Sequence, residues 1–581
     1  MMNLITYGIK LSDKGQYGDI TQHLNKILEK CCDNTDEIRI EFEKGEYHFY
    51  EEYCKKETIY ASNTDSHKFP EKNIAINIHR IKNLTFDGCG SEFIMHGKVV
   101  PFKVTESENI VIKNLSWDFP SPTVLEMTVK SKSKFSAEYT LPKNMMWDIK
   151  NSKLHWYDKS PFTNKIYWEE YNNGESYCNV IYDEQNNSIC RHNLNVSPFN
   201  MAVKLKRTSQ NTVKINYIKP LSDLYKLTNS FQMCPSKKRD CVGSFFCDSK
   251  NILVENVQVH YMPGFGWLVQ MCENVSFISC DFMPDKNSDR MCTSFADLIH
   301  VSGAKGKIHI EKCNFSHAHD DAINIHGTYT RIKKMLNNKT LLLEYVHHQQ
   351  NGFVQYHPDD KVVFYCRKNF SVVDDEKEFT VKSVTNPLCC GNNVKEMVVE
   401  FYEDLPTVLS DSLQYVCENI TYTPEVYIGS CSFDTIPTRG ILCTTRKEVI
   451  IENNTFDRLT MAIIYLSNDC NDWYESGPIH NMTIRGNKFY VRKSSVFKGK
   501  KGAILIEPIV AQSVSEEVFV HSNITIENNV FYMEHDNVIN AENTKNIAIK
   551  NNEIYTLGDE NTEAFVFEKC KNITTENNLF K

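Results

Sequence analysis

Apolar residues along this 581-residue chain fall in short alternating bursts rather than in helical stripes. Asn83-Leu-Thr-Phe-Asp-Gly is followed 26 residues on by Asn109-Ile-Val-Ile-Lys-Asn-Leu. The same phrase returns at Asn251, Asn274, Lys307, Glu425, Glu448, Asn481, Asn523, Asn546 and Asn572. Its formula is Asn-Ile-x-Ile-x-x-Asn-x-Phe. Alternate aliphatics share one face of a short strand, and an Asn marks the turn, where its side chain tolerates a left-handed backbone. Strands too short to bury a face alone, recurring every 20–40 residues, predict an all-β, right-handed parallel β-helix. A propeller or antiparallel sandwich would show Asn-Gly hairpin signals between runs, and these are rare.

Two stretches break the rhythm. Residues 121–217 and 330–418 carry longer alternating strands, such as TVLEMTVKSKSKFSAEYTL and EMVVEFYEDL. They read as inserted antiparallel, β-barrel-like modules. The expected organisation is therefore a cap and first coils over 1–120, module one over 121–217, coils bearing the candidate chemistry over 218–329, module two over 330–418, and closing coils over 419–581. In the first part, Asp19 is expected to cap a helix striped by Ile20, Leu24, Ile27 and Leu28, which would cover the open end of the solenoid. The basic run RKSSVFKGKK at 492–501 reads as a solvated loop.

Composition narrows the function. A formal charge of −9 argues against nucleic acid as a partner. No stretch approaches 18 uncharged apolar residues, so no membrane span is expected. The start lacks a basic segment followed by an apolar one, so no signal peptide is read and the expected location is cytoplasmic; an exported protein whose signal has been removed is the alternative. Twenty-one scattered cysteines show neither a disulfide framework nor zinc spacing, and are read as reduced and mostly buried.

The candidate chemistry lies in ADLIHVSGAKGKIHIEKCNFSHAHDDAINIHGTY at 296–329. Asp297 and the Asp320–Asp321 pair stand about one coil apart, so a winding chain would stack all three on one wall. Neighbours on a strand point oppositely, so Asp320 and Asp321 converge only if the chain turns there. Such carboxyls repel, and one would keep its proton near neutrality, as glycoside hydrolysis requires. The plainer alternative is an Asp-Asp pair that caps a turn. A second dense stretch, NDCNDWYESGP from Asn468, mixes Trp, Tyr, Asp and Glu as a sugar pocket does. His300, His317, His319 and His326 lack ligand spacing, and no dinucleotide or phosphate loop is present; neither metal nor cofactor is expected.

The segment at 296–329, followed by TPEVYIGSCSF, TRGILCTTRKEVIIENNTF and NDWYESGP, resembles glycoside hydrolase family 110. These are α-1,3-galactosidases acting on blood-group-B-type and related terminal α-galactosides. The resemblance covers about residues 75–120 and 250–580 and extends to the placing of the two modules. It implies an inverting, exo-acting hydrolase with Asp320 as general acid and Asp297 with Asp321 holding and deprotonating a water, the carboxyls standing roughly 6.5–9.5 Å apart. Candidate substrate contacts are Trp473, Glu475, Asp469, Arg439, Arg446, His326 and Asn324. The partners implied are terminal α-galactoside glycans, with a homodimer left open. One rival is a polygalacturonase-like hydrolase, which would want a basic cluster at the aspartates; the sequence nearby shows none, and only Arg439 and Arg446 keep it open. The other is a non-catalytic carbohydrate-binding β-helix with an open aromatic groove.

Overall fold

The computed structural model describes all residues except 1–2, 173–177, 186–187, 193–196, 223–226, 235–237, 389–392, 412, 493–501, 516, 535–536 and 558–562. The basic run at 492–501, beyond Arg492, therefore lies outside the described residues.

The repeat phrase winds into a parallel β-helix. Each phrase pairs in register with the next: Ile252 with Val275, Val275 with Ile308, Ile308 with Val426, and Val426 with Val449. The closing Phe of each phrase stacks on its counterpart one coil away. Phe282, Phe315, Phe433, Phe456, Phe489 and Phe531 form one column, with ring centroids 4.6–5.3 Å apart. That spacing follows from strands lying ~4.8 Å apart.

The asparagines do two different jobs. The leading Asn of each phrase sits at positive φ (Asn109 57°, Asn251 56°, Asn274 55°) and donates to the Asn one coil back, over 2.8–3.1 Å. The second Asn is buried, and Asn454, Asn487, Asn529 and Asn552 pass a side-chain hydrogen bond of 2.9–3.0 Å from coil to coil. In earlier coils Cys280, Cys313 and Cys431 hold this position, each of the last two offering Sγ to a backbone N–H of the coil before. This is where part of the high cysteine count is used, and no disulfide joins the described cysteines.

The expected cap forms as Thr21–Cys31, with Leu24, Leu28 and Cys31 buried. Its N-cap is Ile20 rather than Asp19, whose carboxylate instead accepts from the Thr21 hydroxyl at 2.7 Å. Asn25 on this helix donates to the Ala75 carbonyl and accepts from Asn77 N–H, giving partners to strand groups the first coil leaves open. Among the described residues no helix is long and apolar enough to cross a membrane.

The first module is a seven-stranded antiparallel sheet beside a three-stranded one, with its own core around Trp147, Trp156 and Phe231. Its sheet takes in Asn229–Cys234, past residue 217 where the coils were expected to resume; all six of these residues are buried, so they show no alternation. The second module is a closed barrel of six strands running from Thr330–Asn337 to Tyr415–Asn419. The coil continues beneath it: Ile323 pairs directly with Ile441.

Candidate active site

Three successive coils build the site. Ile299 pairs with Ile323 and Ile323 with Ile441. Two residues earlier, the same column reads Asp297, Asp321 and Arg439. Asp297 is thus in line with Asp321, and Asp320 stands beside Ala296, whose carbonyl accepts the Asp320 N–H at 3.2 Å. The chain bends at 319–320. The bend turns Asp320 and Asp321 toward one space, and the three aspartates bring oxygens within 4.8 Å of one another. Gly266 permits the coil behind to approach, since a Cβ there would lie 2.2 Å from the Asp297 carbonyl oxygen.

The separation of 6.5–9.5 Å expected for acid and base is not what these nearest oxygens show. Residues stacked on adjacent coils start ~4.8 Å apart. A single water bridges two oxygens at such a distance.

The expectation of no basic cluster is also overturned. Arg239 donates to Asp320 at 3.1 Å, Arg191 approaches it at 3.5 Å and Arg439 at 4.0 Å, while Arg439 Nε donates to Asp321 at 2.8 Å. Arg191 and Arg239 come from the first module and the chain returning from it, far from the aspartates in sequence. The charges sort the carboxyls. Burial, with Asp320 adding its charge, pushes Asp297 up to about 8. Burial likewise takes Asp321 to about 8, against the pull of Arg439. Burial acts on Asp320 too, but Arg191, Arg239 and Arg439 together outweigh it and hold this carboxyl below its ordinary value. Of the three, then, Asp297 and Asp321 are biased toward the protonated form and Asp320 toward the ionised one.

These groups floor a cavity of about 220 Å³. It is smaller than the ~300–1,000 Å³ of clefts for drug-sized ligands, a size that suits a single sugar ring. Of the candidate contacts, Asn324, Arg439, Asp469, Trp473 and Glu475 line this cavity. Asn324 Oδ1 is buried without a partner and so offers an acceptor to a bound hydroxyl. Trp473 is 36% exposed, packs on His347 of the barrel module with the rings tilted and their centroids 4.2 Å apart, and its carbonyl accepts from Gln350. Asp469 shapes this rim, accepting the N–H groups of Asn471, Asp472 and Trp473 at 2.8–2.9 Å.

Two expected contacts lie elsewhere. Arg446 is bound up with Glu418, Glu376 and Tyr365 under the barrel, where burial of Glu418 demands a cation. His326 is fully buried behind His300 and does not reach the cavity. Conversely, Asn63, Arg239, His300 and Tyr465 line the cavity without having been chosen as contacts. Asn63 and Arg239 belong to no repeat phrase, and nothing in their neighbourhoods marks them.

The structure also gathers two sets of donors close enough to share a cation: the three aspartates, and His300, His326 and Glu475, again within 4.8 Å. The first set already faces three guanidinium groups. The second, which linear spacing concealed, is knit by hydrogen bonds: His300 Nδ1 lies 2.7 Å from Asp297, and the two Nε2 atoms 2.9 Å apart.

No family model matches the chain. The α-1,3-galactosidase A of Bacteroides thetaiotaomicron is 32% identical over 97% of this chain and 94% of its own. That of Streptomyces avermitilis is 31% identical over 90% and 82%. The α-1,3-galactosidase B of Phocaeicola vulgatus is 27% identical over 98% and 95%. Among solved structures, the family 28 exopolygalacturonase of Yersinia enterocolitica aligns over 99% of this chain and 79% of its own at 8% identity and a TM-score of 0.38, too distant to bear on the site. With relatives of that name matched along nearly its whole length, the chain belongs to the α-1,3-galactosidases, glycoside hydrolase family 110.

Proposed function

We propose that this protein is an exo-acting α-1,3-galactosidase that removes terminal α-1,3-linked galactose from blood-group-B-type or linear glycans with inversion. What carries the hydrolase reading is the convergence of three carboxyls, within 4.8 Å of one another, on the floor of a cavity sized for one sugar ring, while inversion rests on the family resemblance. The activity is that of the named relatives.

The position of the carboxyls supports a division of labour. The Asp320 side chain is 16% exposed against 4% for Asp297 and 3% for Asp321. Asp320 thus meets the glycosidic oxygen, which in an exo-acting enzyme lies toward the mouth. Asp297 and Asp321, one coil apart and deeper, hold the water between them. The leaving oxygen takes the proton of Asp320 as its bond to the anomeric carbon breaks. The water adds from the opposite face and yields its proton to Asp297 or Asp321.

At rest the protons are on the wrong carboxyls for this chemistry. Asp321 passes one to Asp320 within the triad, directly or through one water, which leaves the total proton count unchanged. The limits of the pH profile then belong to the triad as a unit rather than to any one residue.

The test is hydrolysis of paired branched and linear α-1,3-galactosides, with NMR reading the first anomer released. β-Galactose appearing first supports the reading. α-Galactose first would refute inversion, and no turnover of either substrate would remove the activity. A polygalacturonase-like reading has gained three arginines in the site, but these are turned to the aspartates themselves, Arg191 and Arg239 to Asp320 and Arg439 chiefly to Asp321.

A further inference from the structure

Behind Asp297 lies a hydrogen-bonded file that the reaction as described does not use. His326 Nδ1 is 2.6 Å from the Gly327 carbonyl oxygen. A carbonyl only accepts, so this nitrogen carries the hydrogen. The other nitrogen of the ring, Nε2, lies 2.9 Å from His300 Nε2 and 3.4 Å from Glu475 Oε1. With both rings neutral, the short Nε2–Nε2 contact requires His300 to donate from Nε2, since two lone pairs would otherwise face each other. His300 Nδ1 then has a lone pair aimed at Asp297 Oδ2, 2.7 Å away, and only a protonated Asp297 satisfies it. The file therefore reads Asp297 O–H to His300 Nδ1, His300 Nε2–H to His326 Nε2, and His326 Nδ1–H to the Gly327 carbonyl. Every donor has one acceptor.

We propose that His300 and His326 form a proton wire that arms Asp297 as a base by drawing its proton inward to His326, where Glu475 balances the charge. The Asp297 O–H bond breaks as His300 Nδ1–H forms; the His300 Nε2–H bond breaks as His326 Nε2–H forms. Asp297 ends ionised, His300 neutral in its other tautomer, and His326 an imidazolium. No proton enters or leaves.

The surroundings suit this transfer. His300, buried and beside His326, is held far below its usual pKa, so it passes a proton on rather than storing it. Glu475 stays ionised despite burial because His326, His300 and the Asn63 amide, 2.8 Å away, favour its charge. The other charges facing the file are Asp320, Arg239 and Arg439. Asp321 supplies Asp320, and the wire moves the second of the two protons that the resting triad holds. The inference rests on Asp297 serving as a base, as set out under the proposed function.

The experiment is the pH dependence of kcat in His326→Gln and His326→Asn, with melting temperature as a check on folding. Without an acceptor at the end of the file, Asp297 must lose its proton to solvent. The acid limb of the profile then moves up by about one unit or more, so that kcat falls about tenfold at pH 6 and recovers toward the unaltered value at pH 8.5. An unmoved limb in either folded variant overturns the wire, while Asp297→Asn losing activity would still uphold Asp297 as a base. Should neither variant fold, nitrogen-15 NMR of the histidines in the unaltered enzyme below pH 7 decides. His300 as the Nε2–H tautomer supports the wire, and both rings as Nδ1–H tautomers refute it. Stoichiometric zinc in the purified protein, with activity lost on chelation, would also overturn it in favour of an ion between the two Nε2 atoms.

Discussion

Replacing Asp320 by Asn keeps the side chain's shape and removes both its proton and its charge. Two magnitudes follow from the site. The first is catalytic: a positioned general acid contributes about 10²–10⁴-fold, so kcat on an α-1,3-linked disaccharide should fall by that factor. The second is structural. Asp320 faces Arg239 at 3.1 Å, Arg191 at 3.5 Å and Arg439 at 4.0 Å. At an effective dielectric of about 20, each such pairing is worth roughly 4–5 kcal/mol before desolvation and before repulsion among the arginines. Breaking a buried pair costs about 3–5 kcal/mol, and because Asp320 and Arg191 are partly exposed, the net loss of stability should be on the order of 3 kcal/mol. The assay compares the disaccharide with 4-nitrophenyl α-galactoside, whose leaving group departs without protonation. Asp320→Asn should lose no more than about tenfold on the aryl substrate, and Asp321→Asn should lose heavily on both. Equal losses for Asp320→Asn on the two substrates would refute Asp320 as the acid and give it to the base pair instead.

Trp473→Ala removes the rim ring; burying about 80 Å² of it under a sugar is worth about 2 kcal/mol, so KM should rise roughly thirtyfold with kcat and the melting temperature little changed. Raised carboxyls make folding less favourable as pH climbs from about 4 to about 8, because the unfolded chain has already lost the proton that the fold retains; Asp297→Asn should flatten that decline in a denaturation series, and an unchanged slope would count against a protonated Asp297. Phe456→Ala interrupts the ring column between Phe433 and Phe489 and should cost about 3–5 kcal/mol by denaturant titration, while KM of the folded fraction stays put.

What the sequence disclosed follows the physics of each feature. The coils were legible because period-two alternation and a turn Asn are local requirements, repeated from residue 83 to residue 580. The column of Asp297 and Asp321 was nearly legible, since coil length sets it. Which of Asp320 and Asp321 shares the column with Asp297 was not legible, because coil length alone does not locate the bend at 319–320. Arg191, Arg239 and Asn63 were illegible. They reach the site across module contacts that no periodicity encodes, and a lone arginine looks like any surface cation. The pairing of His300 with His326 was hidden in plain view, 26 residues apart on stacked strands. A search for ligand spacing within one turn passes over such a pair. Arg446 misled because a buried counter-charge for Glu418 and a sugar ligand look the same in a sequence.

The pairing of Ile323 with Ile441 has a consequence for how this scaffold can change. The chain leaves the stack after Tyr329, builds a whole barrel, and returns to the next rung as though nothing had intervened. Distances among the three carboxyls are therefore indifferent to the barrel's length and shape, while Trp473, propped on His347, is not. On the proposed function, geometry for bond cleavage and geometry for glycan choice are held on separate mountings. A lineage can thus replace the barrel, and with it the sugars it admits, without realigning a single aspartate.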